Sequence, residues 1–333
     1  MTPKRSERLT IISLGSDIDS NEFARDVAAG LTSTPKALLP KYFYDDLGSR
    51  LFEAICLLPE YYLTRAESEI LSSNADEIAG SVAGAVRLIE FGSGSSEKTR
   101  FLIEAFLRRQ HTLHYLPVDI SRMSLERSAR EMLHDYPGLS VTAYAMRYAA
   151  ALSRFSAEPP VTGVRNLALF LGSNIGNFDA EESRAFLQGV RKVVGKGGAL
   201  LLGADLRKSP DVLLPAYNDS LGVTAAFNLN ILVRINRELG GEFDISTFEH
   251  RVKYDQERGR VEMHIASTRP QAVRIEALDL EIDFAEGETI HTEDSYKFDL
   301  AQLSALAADT GFSLDQSWRD SLGRFSFNLL VAG

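Results

Sequence analysis

The segment HTEDSYKFD, residues 291–299, concentrates side chains that can recognise a small polar ring. In an extended segment, residues two apart point the same way, so Glu293 and Ser295 share one side while Asp294 faces the other. A neutral imidazole carries one N–H and one bare nitrogen, which match a carboxylate acceptor and a hydroxyl donor. A solvated surface turn is the alternative interpretation of the same residues.

A glycine pattern predicts a second binding element. The run VRLIEFGSGSSEKTR has the pattern of a strand that ends in Gly92, Ser93 and Gly94 and continues into a helix. Glycines let the backbone approach a ligand, and the helix N-terminus offers unpaired N–H groups. A lone G-x-G is weak evidence, because a tight strand-to-helix turn that binds nothing has the same composition.

An acid strengthens the ligand interpretation of that turn. Asp119 ends the next predicted strand, LHYLPVDI, where a carboxylate accepts hydrogen bonds from ribose hydroxyls. NAD and S-adenosylmethionine both contain that ribose. The loop lacks the third glycine that a dinucleotide site uses around a pyrophosphate, and the predicted sheet ends in an antiparallel pair. Both features favour S-adenosylmethionine.

Polar groups elsewhere complete the candidate set. The run FLGSNIGNFD follows the fourth predicted strand at the edge where open sheets bind ligands. Asn177 is its candidate binding residue, and the alternative role is to stabilise the turn before the next helix. Outside the predicted sheet, Tyr44, Tyr61 and Tyr217 lie in polar or loop-like settings. They form either aromatic packing or the substrate side of a capping domain.

The order of predicted elements gives the fold class. Thr64 and Glu67 form a capping-box pattern that opens a helix, and short apolar runs then alternate with helical segments from Val86 to about Asp205. This alternation predicts a parallel, doubly wound sheet. A helical stretch over about 211–238 follows, then a hairpin around Gly259 and a closing antiparallel pair.

The predicted architecture is α/β with two domains. A first domain, with a Rossmann-like doubly wound sheet and a C-terminal antiparallel hairpin, is expected at 67–204 and 298–333. A second, discontinuous α+β substrate-binding domain is expected at 1–66 and 205–297, capping the first with the substrate held between them.

Composition narrows the class of protein. The 333 residues carry a formal net charge of −10, which argues against a nucleic-acid partner, because phosphate neutralisation needs clustered Lys and Arg. The single cysteine excludes an internal disulfide framework and suits a reducing compartment. No apolar run approaches the ~20 residues of a membrane-spanning helix. We expect a cytoplasmic protein with a small-molecule partner, no membrane association and no metal.

Five segments in register resemble the histidine-specific Nα-methyltransferases of ergothioneine biosynthesis, which use S-adenosylmethionine to trimethylate L-histidine to hercynine. The segments are LPKYFYDDLGSRLFEAICLLPEYYLTRAE, IEFGSGSSEKTR, FLGSNIGN, PAYNDSLG and HTEDSYKF. The resemblance extends from about residue 20 to the end of the chain. It implies a class I methyltransferase fold for the first domain, the methyltransferase activity, S-adenosylmethionine as cofactor and S-adenosylhomocysteine as product. Separately, we expect a monomer.

The resemblance also implies roles for individual residues. The cofactor side comprises Gly92, Ser93, Gly94 and Lys98, with Asp119 as the ribose acid. On the substrate side, Tyr44 and Asn177 orient the amine as the catalytic pair. The other substrate residues are Tyr217, which holds the carboxylate and amine end with Asn177, Gly172 near the amine, Tyr61 facing the imidazole, and Glu293 and Ser295 reading the ring beside Met263.

One departure from the family and three alternatives accompany this assignment. The family often carries an acidic-aromatic pair next to the adenine after the third strand, whereas TAYAMRYAA offers no acid and leaves backbone groups or the neighbourhood of Arg147. The alternatives are a relative that methylates another amino acid, a nicotinamide-dependent oxidoreductase, and a catalytically silent cofactor-binding regulator.

Overall fold

A computed structural model describes residues 8–13, 20–159 and 161–333 of the chain, which divides into two compact units. Unit 1 contains the described residues of Met1–Ser16, Arg65–Arg207 and Phe298–Gly333. Unit 2 contains the described residues of Asp17–Thr64 and Lys208–Lys297.

Strands and helices occupy most of the described chain. The strands are β1 (Leu9–Ser13), β2 (Lys36–Ala37), β3 (Ala85–Phe91), β4 (Leu113–Asp119), β5 (Leu139–Ala145), β6 (Val164–Phe170), β7 (Ala199–Asp205), β8 (Phe248–Asp255), β9 (Arg260–Ser267), β10 (Gln271–Ile275), β11 (Leu280–Phe284), β12 (Thr289–Tyr296), β13 (Phe312–Arg319) and β14 (Phe325–Ala332). The helices are α1 (Ser20–Thr32), α2 (Asp46–Ile55), α3 (Leu63–Ser81), α4 (Thr99–Gln110), α5 (Arg122–Asp135), α6 (Tyr148–Ala157), α7 (Ala180–Val194), α8 (Pro210–Tyr217), α9 (Val223–Leu239) and α10 (Leu300–Asp309). Among the residues described, none of these helices is long and apolar enough to cross a membrane.

Unit 1 is built on one eight-stranded sheet with the order β1-β5-β4-β3-β6-β7-β14-β13. In this sheet, β1, β5, β4, β3, β6 and β7 pair in parallel, and β14 pairs antiparallel with both β7 and β13. The chain order reverses at β3, which lies between β4 and β6, and ligands bind outside the carboxyl ends of the strands at such a switch point. The predicted class I methyltransferase fold is confirmed.

Apolar layers cover both faces of this sheet. Helices α3, α4 and α5 bury side chains against one face, and α6, α7 and α10 bury theirs against the other. Because both faces are covered, the central strands are apolar nearly throughout, and every residue of β7 is buried. Each fully buried large aliphatic side chain contributes about 1.5–3 kcal/mol to this rigid platform.

The first strand contradicts one predicted domain boundary. We predicted that residues 1–66 belong to the second domain, but β1 pairs in parallel with β5 at the edge of the unit 1 sheet. The guanidinium of Arg8 reinforces the pairing by donating to the carbonyl oxygens of Leu133 and Leu139, each at 2.9 Å. A local pattern predicts such a strand but not a partner more than a hundred residues away.

Unit 2 contains a four-stranded sheet, β2-β12-β9-β8, and the separate hairpin β10-β11. The predicted hairpin around Gly259 is confirmed, because β8 and β9 pair antiparallel on either side of it. The predicted helical stretch over 211–238 is present, but it consists of two helices. The stretch is interrupted after Tyr217, where the carboxylate of Asp219 accepts the backbone N–H groups of Leu221 and Thr224 before α9 begins.

Candidate active site

The glycine loop of unit 1 leaves β3 at the carboxyl edge of the sheet. Gly92 and Gly94 have φ of 75° and 49°, a region that side chains other than glycine rarely adopt. A Cβ on Gly92 would lie 2.4 Å from the Tyr148 hydroxyl and 2.8 Å from the Asn174 side-chain nitrogen, while a Cβ on Gly94 would enter open space. The loop therefore presents bare backbone at Gly94.

The acid at the end of β4 lies against this loop. Asp119 accepts the Gly94 N–H through Oδ2 and the Ser121 N–H through Oδ1, each at 2.9 Å. Burial raises the pKa of the Asp119 carboxyl, and these backbone donors oppose the rise. The sequence placed both groups at one sheet edge, and the structure brings them into direct contact.

A buried hydroxyl in the loop fits a polar ligand. The Ser93 side chain is 6% exposed, and its Oγ has no hydrogen-bond partner among the described residues. Leaving such a group unsatisfied costs about 1–3 kcal/mol. A ligand at the loop that supplies the missing partner removes that cost.

A buried carboxyl beneath the loop holds its two ends together. Glu90 is 2% exposed and accepts the Thr99 hydroxyl at 2.8 Å, and it also accepts the Tyr115 hydroxyl. Burial raises the pKa of Glu90 to about 7, against the lowering effect of those two donors. Because Thr99 is the first residue of α4, this contact ties the end of β3 to the start of the helix and so fixes the glycine loop.

Glu67 is a site residue that the sequence reasoning missed. The predicted capping box at Thr64 and Glu67 is wrong, because α3 begins at Leu63 and the Glu67 carboxylate is engaged elsewhere. It pairs with the Lys98 ammonium and accepts the Gly172 N–H at 2.6 Å. This side chain is 1% exposed, and it links the end of the glycine loop to the loop after β6.

Glu67→Gln is expected to lower the free energy of unfolding by about 1–3 kcal/mol, because the amide cannot pair with the Lys98 ammonium. Urea denaturation measures this change. Glu69→Gln is the matched control, since Glu69 lies on the same helix, is exposed and also accepts a backbone N–H, from Ser321 at 2.7 Å. Equal loss of stability in the two variants would contradict a special role for Glu67.

The loop after β6 carries the other unit 1 candidates, Gly172 and Asn177. Gly172 has φ of 70°, and its N–H is held by Glu67. Helix α7 is capped by Asp179, which forms a capping box with Glu182. Across the described ranges, the half-buried Asn177 side chain makes no hydrogen bond, so it does not stabilise the turn through one. This arrangement favours the ligand-binding interpretation of Asn177.

Tyr148 is a second residue that the sequence reasoning missed. Its ring packs against Phe91, Phe170 and Phe186, and its hydroxyl lies against Gly92. Burial and the nearby charges of Asp119 and Glu90 raise its pKa, so the hydroxyl stays a neutral donor. Tyr148 follows the third strand of the doubly wound sheet in the run AMRYAA, where the sequence offered an aromatic residue without an acid.

In unit 2, a β-bulge shapes the strand that carries Glu293. The register between β12 and β9 shifts after His291, so that Glu293 rather than Thr292 lies opposite Met263. Bulges re-aim side chains and often lie beside active sites. Glu293 is 7% exposed, and burial raises its pKa to about 7, although Lys297 lowers it.

The neighbouring Asp294 faces away from Glu293, as the alternation predicts. Its carboxylate accepts Arg260 at 2.7 Å and His291 at 2.9 Å. Ser295 is buried on the Glu293 side of the strand. The solvated-turn interpretation of HTEDSYKFD is therefore wrong for Glu293 and Ser295.

Ser295 belongs to a buried triangle of polar groups. Its Oγ lies 2.8 Å from the Tyr217 hydroxyl, and the Lys297 ammonium donates to Ser295 at 2.8 Å and to Tyr217 at 2.6 Å. The three side chains come from the end of α8, from β12 and from the residue that follows β12. The structure thus brings together two residues that the sequence singled out and adds Lys297.

The candidate tyrosines of unit 2 form a chain of rings. Phe52 makes edge contacts with Tyr44 and Tyr61, at centroid distances of 5.7 Å and 6.2 Å, and Tyr61 lies 6.5 Å from Tyr217. The sequence did not identify Phe52 as a candidate site residue, because its only signal there is its place in the helical run RLFEAI. Ring packing does not exclude ligand binding, because a tyrosine whose ring is packed can still form hydrogen bonds through its hydroxyl.

Comparison with known proteins matches the chain along nearly all of its length. The family described as "Histidine-specific methyltransferase, SAM-dependent" matches residues 23–332. The histidine N-alpha-methyltransferases of Mycolicibacterium smegmatis and Mycobacterium tuberculosis are each 41% identical, over 96% and 95% of this chain and 97% of each relative. Ergothioneine biosynthesis protein 1 of Neurospora crassa is 31% identical over 85% of this chain, which spans 32% of that longer protein.

Proposed function

The chain belongs to the family of S-adenosylmethionine-dependent histidine-specific methyltransferases, and from that premise we propose that it methylates the α-amino nitrogen of L-histidine. The expected product is the trimethylated amino acid hercynine, on the route to ergothioneine. The observation that carries the choice of substrate is the buried pair Glu293 and Ser295 on one side of β12.

Because the family is S-adenosylmethionine-dependent, the cofactor is S-adenosylmethionine and not a nicotinamide. When bound, S-adenosylmethionine supplies a sulfonium methyl: the amine nitrogen forms the new N–C bond, the C–S electrons stay on sulfur as S-adenosylhomocysteine, and the amine proton leaves to solvent. The unpartnered Ser93 hydroxyl and the bare backbone at Gly94 fit such a ligand. In our assignment, Gly92, Ser93, Gly94 and Lys98 hold it, and Asp119 binds its ribose.

The substrate side follows from the chemistry of histidine. The ring N–H donates to the Glu293 carboxylate, and the bare ring nitrogen accepts from the hydroxyl of Ser295, with Met263 beside them. Another side chain at this position leaves buried polar groups without partners, which costs about 1–3 kcal/mol for each group. Specificity for histidine therefore resides in this pair.

The amine must be uncharged and aimed at the methyl group. We assign its orientation to Tyr44 and Asn177, with Tyr217 and Asn177 on the carboxylate and amine end, Gly172 near the amine and Tyr61 facing the imidazole. Positioning of this kind supplies effective molarities of about 10⁵ M or more. The tyrosine ring also stabilises the cationic methylated products through cation–π attraction.

Histidine affinity is expected to fall as the pH drops through about 7. The pKa of Glu293 is about 7 because burial raises it, with smaller effects of Lys297, Asp294 and His291. The ionised acceptor is present above that pKa and is lost below it. From about pH 8 to about pH 6, the wild type should lose about tenfold more affinity than Glu293→Gln, whose amide does not titrate. Titration calorimetry measures both, and parallel pH profiles would contradict the assignment.

The proposed function is tested by incubating the protein with S-adenosylmethionine and each common amino acid in turn. We expect S-adenosylhomocysteine and a product three methyl groups heavier with histidine alone, as read by mass spectrometry. Turnover of another amino acid in preference to histidine would show that the chain is a relative with a different substrate. The expected monomer and the cytoplasmic location remain predictions, and light scattering after size-exclusion chromatography tests the first.

A further inference from the structure

A lysine is buried beside the imidazole-reading residues of unit 2. Lys297 is 1% exposed and is among the largest fully buried side chains of the described chain. Lysine is almost never fully buried unless its charge is paired, because removal of an ammonium from water is costly. The burial of Lys297 therefore requires contacts that compensate for the lost hydration.

Lys297 contacts two hydroxyls of the site. The ammonium donates to the Tyr217 oxygen at 2.6 Å and to the Ser295 oxygen at 2.8 Å, and these two oxygens lie 2.8 Å apart. The ammonium is also 4.6 Å from the centroid of the Tyr217 ring. Its charge acts on the Glu293 carboxyl, the acceptor of the proposed ring-binding pair.

The direction of these hydrogen bonds determines what the hydroxyls can offer to a ligand. An ammonium has three donors and no acceptor, whereas a hydroxyl can donate or accept. Both hydroxyl oxygens must therefore accept from Lys297, and their protons point away from it, toward each other or toward a ligand. The hydroxyl pair then acts as a donor and Glu293 as an acceptor. A neutral imidazole, with one bare nitrogen and one N–H, requires this combination.

We propose that Lys297 is a positioning residue for substrate specificity. Because Lys297 donates to Ser295 and Tyr217, both hydroxyl oxygens accept from it, and the hydroxyl pair is left to donate to the bare ring nitrogen of histidine. The inference rests on the proposed function. The opposite charges of Lys297 and Glu293 balance, so the site takes the neutral ring rather than the imidazolium.

Lys297→Met tests this role, because methionine keeps the length of the side chain and removes both the donor and the charge. The ligands are histidine and 2-thienylalanine, whose five-membered ring has no N–H and no basic nitrogen. Titration calorimetry gives the ratio of the two dissociation constants for each protein. Lys36→Met is the matched control, since Lys36 lies on β2, in the sheet that contains β12, and pairs with Glu288.

The expected result is that Lys297→Met reduces the preference for histidine over 2-thienylalanine by about tenfold or more, while Lys36→Met keeps the wild-type ratio. A purely structural lysine would change both affinities by the same factor, and an unchanged ratio in Lys297→Met would overturn the proposal. A wild-type protein without a preference for histidine would instead refute the proposed function, so the two failures are distinguishable.

A measurement on the unaltered protein covers the case in which the variant does not fold. Nitrogen-15 NMR of bound, ring-labelled histidine reports the protonation of both ring nitrogens. We expect one protonated nitrogen and one bare nitrogen, in a single tautomer. A doubly protonated ring or a mixture of tautomers in the complex would overturn the proposal.

Discussion

Glu293→Ala is expected to weaken histidine binding about tenfold to a hundredfold and to leave the binding of S-adenosylmethionine unchanged. The substitution removes the buried acceptor of the ring N–H, and an unpaired buried donor costs about 1–3 kcal/mol. It also leaves the charge of Lys297 without the nearby carboxylate that balances it. Titration calorimetry with each ligand separately measures both effects.

Asp294→Ala is the matched control for this prediction. Asp294 is adjacent in sequence, but it faces the other side of β12, where Arg260 and His291 engage its carboxylate. Loss of that carboxylate should change histidine affinity by less than about threefold, as expected for a site away from the ligand. Equal histidine affinity in the wild type and Glu293→Ala would remove the basis for the substrate assignment.

Gly92→Ala is expected to weaken S-adenosylmethionine binding by about a hundredfold. The positive φ at this position costs alanine about 1–2 kcal/mol of stability. The loss of affinity comes from the new Cβ, which would overlap the Tyr148 hydroxyl and crowd Asn174. Relief of that overlap must move the loop or the tyrosine, and both border the proposed cofactor site. Calorimetric titration with S-adenosylhomocysteine, which avoids turnover, measures the loss.

Gly84→Ala separates backbone strain from the overlap. Gly84 precedes the same strand, has φ of 82° and has open space where a Cβ would be added. This variant should therefore lose stability through strain but bind S-adenosylhomocysteine like the wild type. Similar losses of cofactor affinity in both variants would mean that the Gly92 loop has no special relation to the ligand.

The features that followed from the sequence are those with local signals. Alternation of apolar runs with helices predicted the doubly wound sheet, and the turn around Gly259 predicted the β8-β9 hairpin, because both patterns arise within short stretches. The two-residue periodicity of β12 likewise predicted that Glu293 and Ser295 share a side. The residue roles themselves came from the family resemblance and remain proposals.

The features that the sequence did not reveal depend on contacts between distant segments. Glu67 resembled a capping residue because its partners, Lys98 and Gly172, lie 31 and 105 positions away. Lys297 resembled part of a charged turn until the fold placed Tyr217 beside it. The β12 bulge escaped prediction for a similar reason, since register depends on the partner strand.

The position of the transferred methyl group tests the central claim most directly. Histidine labelled with nitrogen-15 at the α-amine is incubated with the protein and carbon-13-methyl S-adenosylmethionine, and the product is analysed by NMR. If Glu293 and Ser295 hold the ring, the methyl carbons should couple to the α-nitrogen. Methyl carbons attached to a ring nitrogen would contradict the account, because the ring would then be the nucleophile rather than the recognised group.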